Sequence, residues 1–358
     1  MSEKGSLKID KFNIIQKRTE NLENKENYEI REINMNYTSR ENNKYKLDKL
    51  DKNSEQKNKN TIHTISVNKT LSQNKNTKMK EKIEYFDISK IKDNVQIPKE
   101  YMNTIYYNLL KEEKEGINPK PKYNYMKEQK EINEQMRGIL IDWIIDVHYK
   151  FGFTDETLFM TVLIIDRYLS VNQITRLKLQ LLGITSLMIA CKHEEIDLPK
   201  IDDFIYITDN AYIKDEVIKM ENDILKVLNF ELLYPSPIKF YEYLSVYFGF
   251  DKKMHLMGKY LMESFLVDIK YTKYKPSIIS SACCYIVMKF FKMKNYQESY
   301  DKKYYSLNKE DNLSEHNIKD CAKDICFFVD NINKTKYLSC QKKYSKSEFE
   351  KVSIIIMT

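Results

Sequence analysis

Glycine and proline are scarce, with 7 of each in 358 residues. Sandwiches and barrels turn the chain often and rely on these residues. The shortage therefore argues against all-β folds and favours long helices. Cysteine is equally uninformative as a framework. The 6 cysteines, at 191, 283, 284, 321, 326 and 340, include no C-x-x-C pair, so neither a zinc site nor a disulfide scaffold has support. Cys191, Cys283 and Cys284 lie inside apolar runs and read as small core residues. Arginine appears only a handful of times, so the formal charge of +7 is almost all lysine. Without a dense Arg/Lys stripe, a nucleic-acid partner is not expected. Abundant Lys, Asn, Ile and Tyr look like the codon usage of an A/T-rich genome.

No apolar run is long enough to cross a bilayer, the best being near 181–191 and 277–288. The opening MSEKGSLKIDKF has no apolar core of a secretory leader. A soluble protein of a reducing, intracellular compartment is expected, with no membrane partner. Catalytic signatures are missing too: no Gly-rich phosphate loop, no H-R-D, no D-F-G and no H-E-x-x-H among the 5 histidines. Pairs such as Glu194 and Glu195 read as solvated charge on helix ends. The chain is expected to be no enzyme, and to need no cofactor or metal.

What is present is unevenly placed. Residues 1–94 are nearly all Lys, Glu, Asn, Ser, Thr and Gln, with scattered apolar residues of no period. Such a segment cannot bury enough surface to offset its ordering entropy, so a disordered tail is expected. Residues 95–133 hold one amphipathic helix, with Tyr101, Ile105 and Leu109 at helical spacing, and then an irregular linker around Pro119 and Pro121. From 134 the pattern is helix after helix. MRGILIDWI carries Met136, Ile139, Leu140, Trp143, Ile144 and Val147 at i, i+3, i+4, i+7 spacing, yet Ile141 and Ile145 are apolar as well. A helix apolar on several sides is buried on several sides, or buried on one and used for binding on another. Gly152 ends this helix and Thr154 is the expected N-cap of the next. The run LQLLGITSLMIAC is apolar nearly all round, and SIISSACCYIVM repeats that character about a hundred residues later. Both hold small residues (Gly183, Ser186 and Ala190; Ser280, Ser281, Ala282 and Cys283) that let neighbouring helices approach closely. Between them, Ser236 and Pro237 in YPSPIKF mark a boundary and a new helix start. The pattern predicts an all-α chain of two tandem bundles, 134–234 and 235–352, the second including a C-terminal extension, with 314–332 as the last helix.

The stretch MRGILIDWI…ETLFMTVLIIDRYLS…KLQLLGITSLMIACKHEEI…DFIYITDNAY…MENDILKVLNF resembles the cyclin box of A/B-type, mitotic cyclins, B-type more than A-type. YMKEQKEIN before it, and KYLMESFLVDI and KKYSKSEFEKVS after it, extend the resemblance over about 97–352. The resemblance implies two five-helix cyclin boxes preceded by an N-terminal helix. It also implies a non-catalytic subunit that binds and activates a cyclin-dependent Ser/Thr protein kinase, helps select substrates at the G2/M transition, and works in nucleus and cytoplasm.

Site residues follow from the same resemblance. Arg137 and Asp166 are expected to pair inside the first box. Lys192 and Glu221, with Glu195 and Ile105, are expected to face the kinase; the plainer alternative is that Lys192 and Glu221 only pair with each other on a solvated face. Met136, Ile139, Leu140 and Trp143, with Gln180, correspond to a shallow apolar groove that docks Arg-x-Leu segments of substrates or inhibitors. Asp146 stands where many relatives have a glutamate that holds the ligand's arginine. The plainer alternative for that face is core packing. His193 replaces an aromatic residue and is expected to be a surface or capping histidine. In the tail, Lys25-Glu26-Asn27 matches the KEN signal read by the mitotic ubiquitin ligase, while no Arg-x-x-Leu, Ser-Pro or Thr-Pro occurs there. Two other classes fit tandem helical boxes. A transcription-initiation factor would carry a zinc ribbon and an Arg-rich face, and a kinase-independent scaffold would not need Arg137, Asp166, Lys192 and Glu221 together.

Overall fold

A computed structural model describes residues 98–117, 119–293 and 315–356, and every regular element among them is helical. The tail, including Lys25-Glu26-Asn27, and the Tyr-rich stretch 294–314 lie outside the described residues. The helices are α1 (Lys99–Glu115), α2 (Glu134–Phe151), α3 (Asp155–Leu169), α4 (Leu179–Glu194), α5 (Ile201–Ile207), α6 (Lys214–Val227), α7 (Pro237–Tyr247), α8 (Lys252–Phe265), α9 (Pro276–Phe290), α10 (Glu315–Asn331), α11 (Ser339–Tyr344) and α12 (Val352–Ile356). No described helix is long and apolar enough to cross a membrane.

Helices α2 to α6 form the first box around α4, in which every residue from Leu181 to Cys191 is buried. Helices α7 to α10 form the second around α9, and one continuous apolar core runs through both. The tandem arrangement expected from the two all-apolar runs is therefore present. The close approach expected of small residues is visible at Gly183. A Cβ there would stand 2.6 Å from a Leu140 methyl, so α2 and α4 touch where only glycine fits.

Local signals set the helix starts. Asn133 caps α2 by accepting from Met136 N at 3.0 Å, and Gly152 ends it at φ 68°, a left-handed conformation that glycine adopts without strain. Ser236 accepts from Lys239 N at 3.4 Å, with Pro237 in the first helical position of α7. Thr154 occupies the N-cap position of α3, but its side chain makes no cap bond to the helix backbone. A carboxylate from the far end of α4 serves instead, as described below.

Two expectations are corrected. The buried face of α1 is Met102, Tyr106, Leu109, Leu110 and Glu113, not the Tyr101–Ile105–Leu109 seam. The reason is the surface it meets. Tyr106 packs edge-on to Phe240 of α7 with ring centroids 5.6 Å apart, and Glu113 accepts from Ser277 N at 2.8 Å and Ser277 Oγ at 2.6 Å. So α1 is docked on the second box; Tyr101 is exposed and Ile105 half-buried. The second correction concerns the end of the chain. Helix α10 is not the last helix, since α11 and α12 follow it. Residues 337–349 form a strap along one side of α2. Tyr337 lies against Gly138, and Ser339 donates to Asp142 through N at 3.0 Å and Oγ at 2.8 Å. Glu348 accepts from the Tyr149 hydroxyl at 2.6 Å. The strap is anchored in the second box by Lys343, whose ammonium donates to Glu263 at 2.8 and 3.0 Å in a buried pair, and by the Tyr344 hydroxyl on the same carboxylate.

Candidate functional site

The first box is held by a buried ion pair. Asp166, on α3, receives Arg137 Nε and Nη2 at 2.7 Å each, and the Tyr125 hydroxyl, also at 2.7 Å. Arg137 Nη1 reaches on to the carbonyls of Leu266 and Val267 at 3.0 and 3.2 Å. Arg137 and Asp166 are 0% and 1% exposed. Burial works against the charged guanidinium, but the adjacent Asp166 carboxylate outweighs it and raises the Arg137 pKa overall. The pair expected from the sequence is thus in place, and it does more than close one box: it ties α2 to α3, to the linker before α2, and to the end of α8 in the second box. Tyr125 and the two carbonyls carry no signal in the local sequence pattern, because they lie up to 130 positions away.

The second acid–base pair lies at the surface. Lys192, in the last turn of α4, donates to Glu221 of α6 at 2.5 Å; the side chains are 50% and 17% exposed. The two residues are brought together, as the plainer alternative held, and Lys192 keeps half its surface open to a partner. The segments after α4 also present exposed apolar side chains: Ile196 (98% exposed), Leu198, Tyr206, Ile213, Phe230 and Leu233. The sequence reading missed these residues. Their signal was available, since apolar residues in short polar loops that no core position demands point to an external partner.

Glu195, expected to face a partner, has one carboxylate oxygen engaged inside the box. Oε1 accepts from Thr154 N at 2.8 Å, Thr154 Oγ1 at 3.1 Å and the Thr157 hydroxyl. It satisfies donors at the start of α3 and joins that end to the end of α4, so its placement is that of a structural cap. Ile105, likewise expected at the interface, is half-buried and packed on the core. His193 is a surface histidine with Nδ1 2.9 Å from Glu194 Oε1.

The third feature is the face of α2 between α4 and the strap. Met136, Ile139, Trp143 and Asp146 are half-buried along it, and Gln180 is half-buried on the first turn of α4. Leu140 is buried at 5% exposure against Gly183, so it belongs to the floor. The face is neither fully packed nor fully solvated. Asp142, one position before Trp143, was not expected to matter. Burial pushes its carboxyl up to about 6, against the lowering effect of the two Ser339 hydrogen bonds. Among the described residues no group of three or more His, Cys, Asp or Glu could hold a metal ion.

Comparison with known proteins matches residues 104–233 to the family described as "Cyclin, N-terminal domain" and residues 235–357 to "Cyclin, C-terminal domain". The chain is 36% identical over 264 residues to a G2/mitotic-specific cyclin-B2 of Oryzias latipes, covering 74% of this chain and 66% of the relative. It is 40% identical over 263 residues to a G2/mitotic-specific cyclin-B of Marthasterias glacialis, covering 74% and 65%. Against the Homo sapiens G2/mitotic-specific cyclin-B2 it is 37% identical over 264 residues, covering 74% and 64%. The chain thus spans just under two thirds of the length of these relatives. Among solved structures, a viral cyclin from herpesvirus saimiri superposes with a TM-score of 0.51 at 19% identity, over 62% of this chain and 97% of that one, which is a likeness of fold.

Proposed function

The chain belongs to the cyclin family, and from that premise we propose that it is the non-catalytic regulatory subunit of a cyclin-dependent Ser/Thr protein kinase, of the G2/mitotic type. The observation that carries this reading is the half-exposed Lys192–Glu221 pair, with exposed Ile196, Tyr206, Phe230 and Leu233 on the segments that follow α4. A half-exposed ammonium, already oriented by a carboxylate, offers two free N–H donors to a partner's backbone carbonyls. The exposed apolar side chains supply area that a monomer gains nothing by exposing. The kinase offers a mobile helix and activation segment. Binding their active arrangement more tightly than the inactive one shifts the population, which sets the kinase's own Lys–Glu pair and opens its cleft.

The α2 face, on the same reading, is the groove for Arg-x-Leu segments of substrates or inhibitors. Met136, Ile139 and Trp143 take the apolar side chain over a floor of Leu140, Gln180 hydrogen-bonds the segment's backbone, and Asp146 stands nearest its arginine. Lys25-Glu26-Asn27 is the tail signal for the mitotic ubiquitin ligase, and the protein works in nucleus and cytoplasm.

The kinase reading is tested by co-purification with a panel of mitotic-type and transcriptional-type cyclin-dependent kinases, followed by histone phosphorylation. Activity with the wild type, and its loss in a folded Lys192→Ala, Glu221→Ala variant, is expected. Neither binding nor activation across the panel would leave a kinase-independent helical scaffold.

A further inference from the structure

Both carboxylates on the groove side of α2 are already engaged within the molecule. Asp142 gives both oxygens to Ser339 of the strap, at 3.0 and 2.8 Å. Asp146 pairs with Lys150 at 3.3 Å, one helical turn further on, with side chains 39% and 49% exposed. Acid before base at i, i+4 is the favourable order on a helix, and a lysine in the last turn also suits the negative end of the helix dipole. Lys150 shares its face with Ile139, Trp143 and Asp146, because positions three, four and seven apart stack on one side of a helix. The groove therefore ends in a cation as well as an acid.

We propose that Lys150 sets the charge preference of this groove. The Asp146–Lys150 pair is itself neutral and Asp142 is held by Ser339, so the groove selects segments by their leucine-type side chain, and the arginine of an Arg-x-Leu segment adds little. The occupant is a short extended segment of another protein, apolar at its anchor, for which a basic flank is optional. The inference rests on the groove reading above. An exposed i, i+4 pair is weak and a ligand arginine can compete for Asp146, but it does so against the Lys150 charge.

The test is fluorescence anisotropy with the full chain and three labelled peptides, identical but for Arg-x-Leu, Ala-x-Leu or Arg-x-Ala at the motif. In the wild type, replacing the arginine is expected to weaken binding less than about twofold, and replacing the leucine to abolish it. Lys150→Ala, a change at an exposed position, is expected to tighten the Arg-x-Leu peptide about threefold and leave the Ala-x-Leu peptide unchanged, an effect that shrinks as salt is raised. A tenfold or greater loss on removing the arginine from the wild-type ligand would overturn the proposal. So would a Lys150→Ala variant that treats both peptides alike. If the Arg-x-Leu and Arg-x-Ala peptides bind equally, or neither binds, the groove reading itself falls and the role of Lys150 with it.

Discussion

Two acid–base pairs join helices within the first box, Arg137–Asp166 and Lys192–Glu221, and they differ chiefly in burial. The first is sealed at 0% and 1% exposure and shares its hydrogen bonds with Tyr125 and two carbonyls of the second box. The second is half open to solvent and shares its bond with no other described group. In water an exposed pair contributes at most about 1 kcal/mol, while stripping one partner from a buried pair strands a charge in low dielectric at a cost of about 3–5 kcal/mol. The same chemistry is therefore fixed scaffolding in one place and a reserve of donors in the other.

The comparison breaks most visibly at Asp166. Asp166→Ala leaves the buried guanidinium without its carboxylate and is expected to destabilise the protein by about 3–5 kcal/mol in urea unfolding. Replacing both partners with apolar residues (Arg137→Met, Asp166→Leu) should cost much less than the single change, because no charge is stranded. If Asp166→Ala unfolds at the wild-type midpoint, the pair is not the scaffold described here.

A third carboxylate sharpens the contrast, because its neighbours do not neutralise it. Burial pushes the Glu156 carboxyl up to about 7, with the charge of Glu242 adding and Lys239 opposing. The folded state then keeps a proton that the unfolded chain releases at lower pH. Stability from this group is full below the ordinary glutamate pKa and is lost as pH rises through about 7. Glu156→Gln should therefore gain about 1–2 kcal/mol at pH 8 and nothing at pH 4. Thermal melts of the two proteins across that range would show it, and parallel curves would refute it. The smallest effect is expected at the exposed pair. Lys192→Ala with Glu221→Ala should lower the unfolding free energy in urea by less than about 1 kcal/mol while removing kinase activation. A large loss of stability would make these residues scaffold like the other pair.

Periodicity made the helices legible, and composition made the boxes legible. The two all-apolar runs foretold α4 and α9, and Ser236 with Pro237 foretold the start of the second box. The face of α1 was misread because Tyr101, Ile105 and Leu109 satisfy the helical spacing as well as Met102, Tyr106 and Leu109 do. Only the partner surface on α7 decides between them. Glu195 looked like free charge beside Lys192, since a carboxylate that caps a helix 41 positions earlier leaves no mark near itself. The strap escaped for the same reason: Asp142 and Ser339 are 197 positions apart. The pairings that share one local segment or one family motif could be read, and those made only by the folded topology could not.

Helix α4 has one more consequence. Gln180 stands on its first turn and Lys192 on its last, twelve residues on and therefore about 18 Å along the axis, and the helix between them is walled in on every side. A rod enclosed in this way resists bending, so on the proposed reading it would fix the spacing between a docked segment and the kinase contact as a ruler would. A substrate gripped in the groove would be tethered at that set distance from the catalytic subunit. The length of chain between its docking segment and its target residue, more than the sequence around that residue, would then govern how concentrated the target is at the cleft.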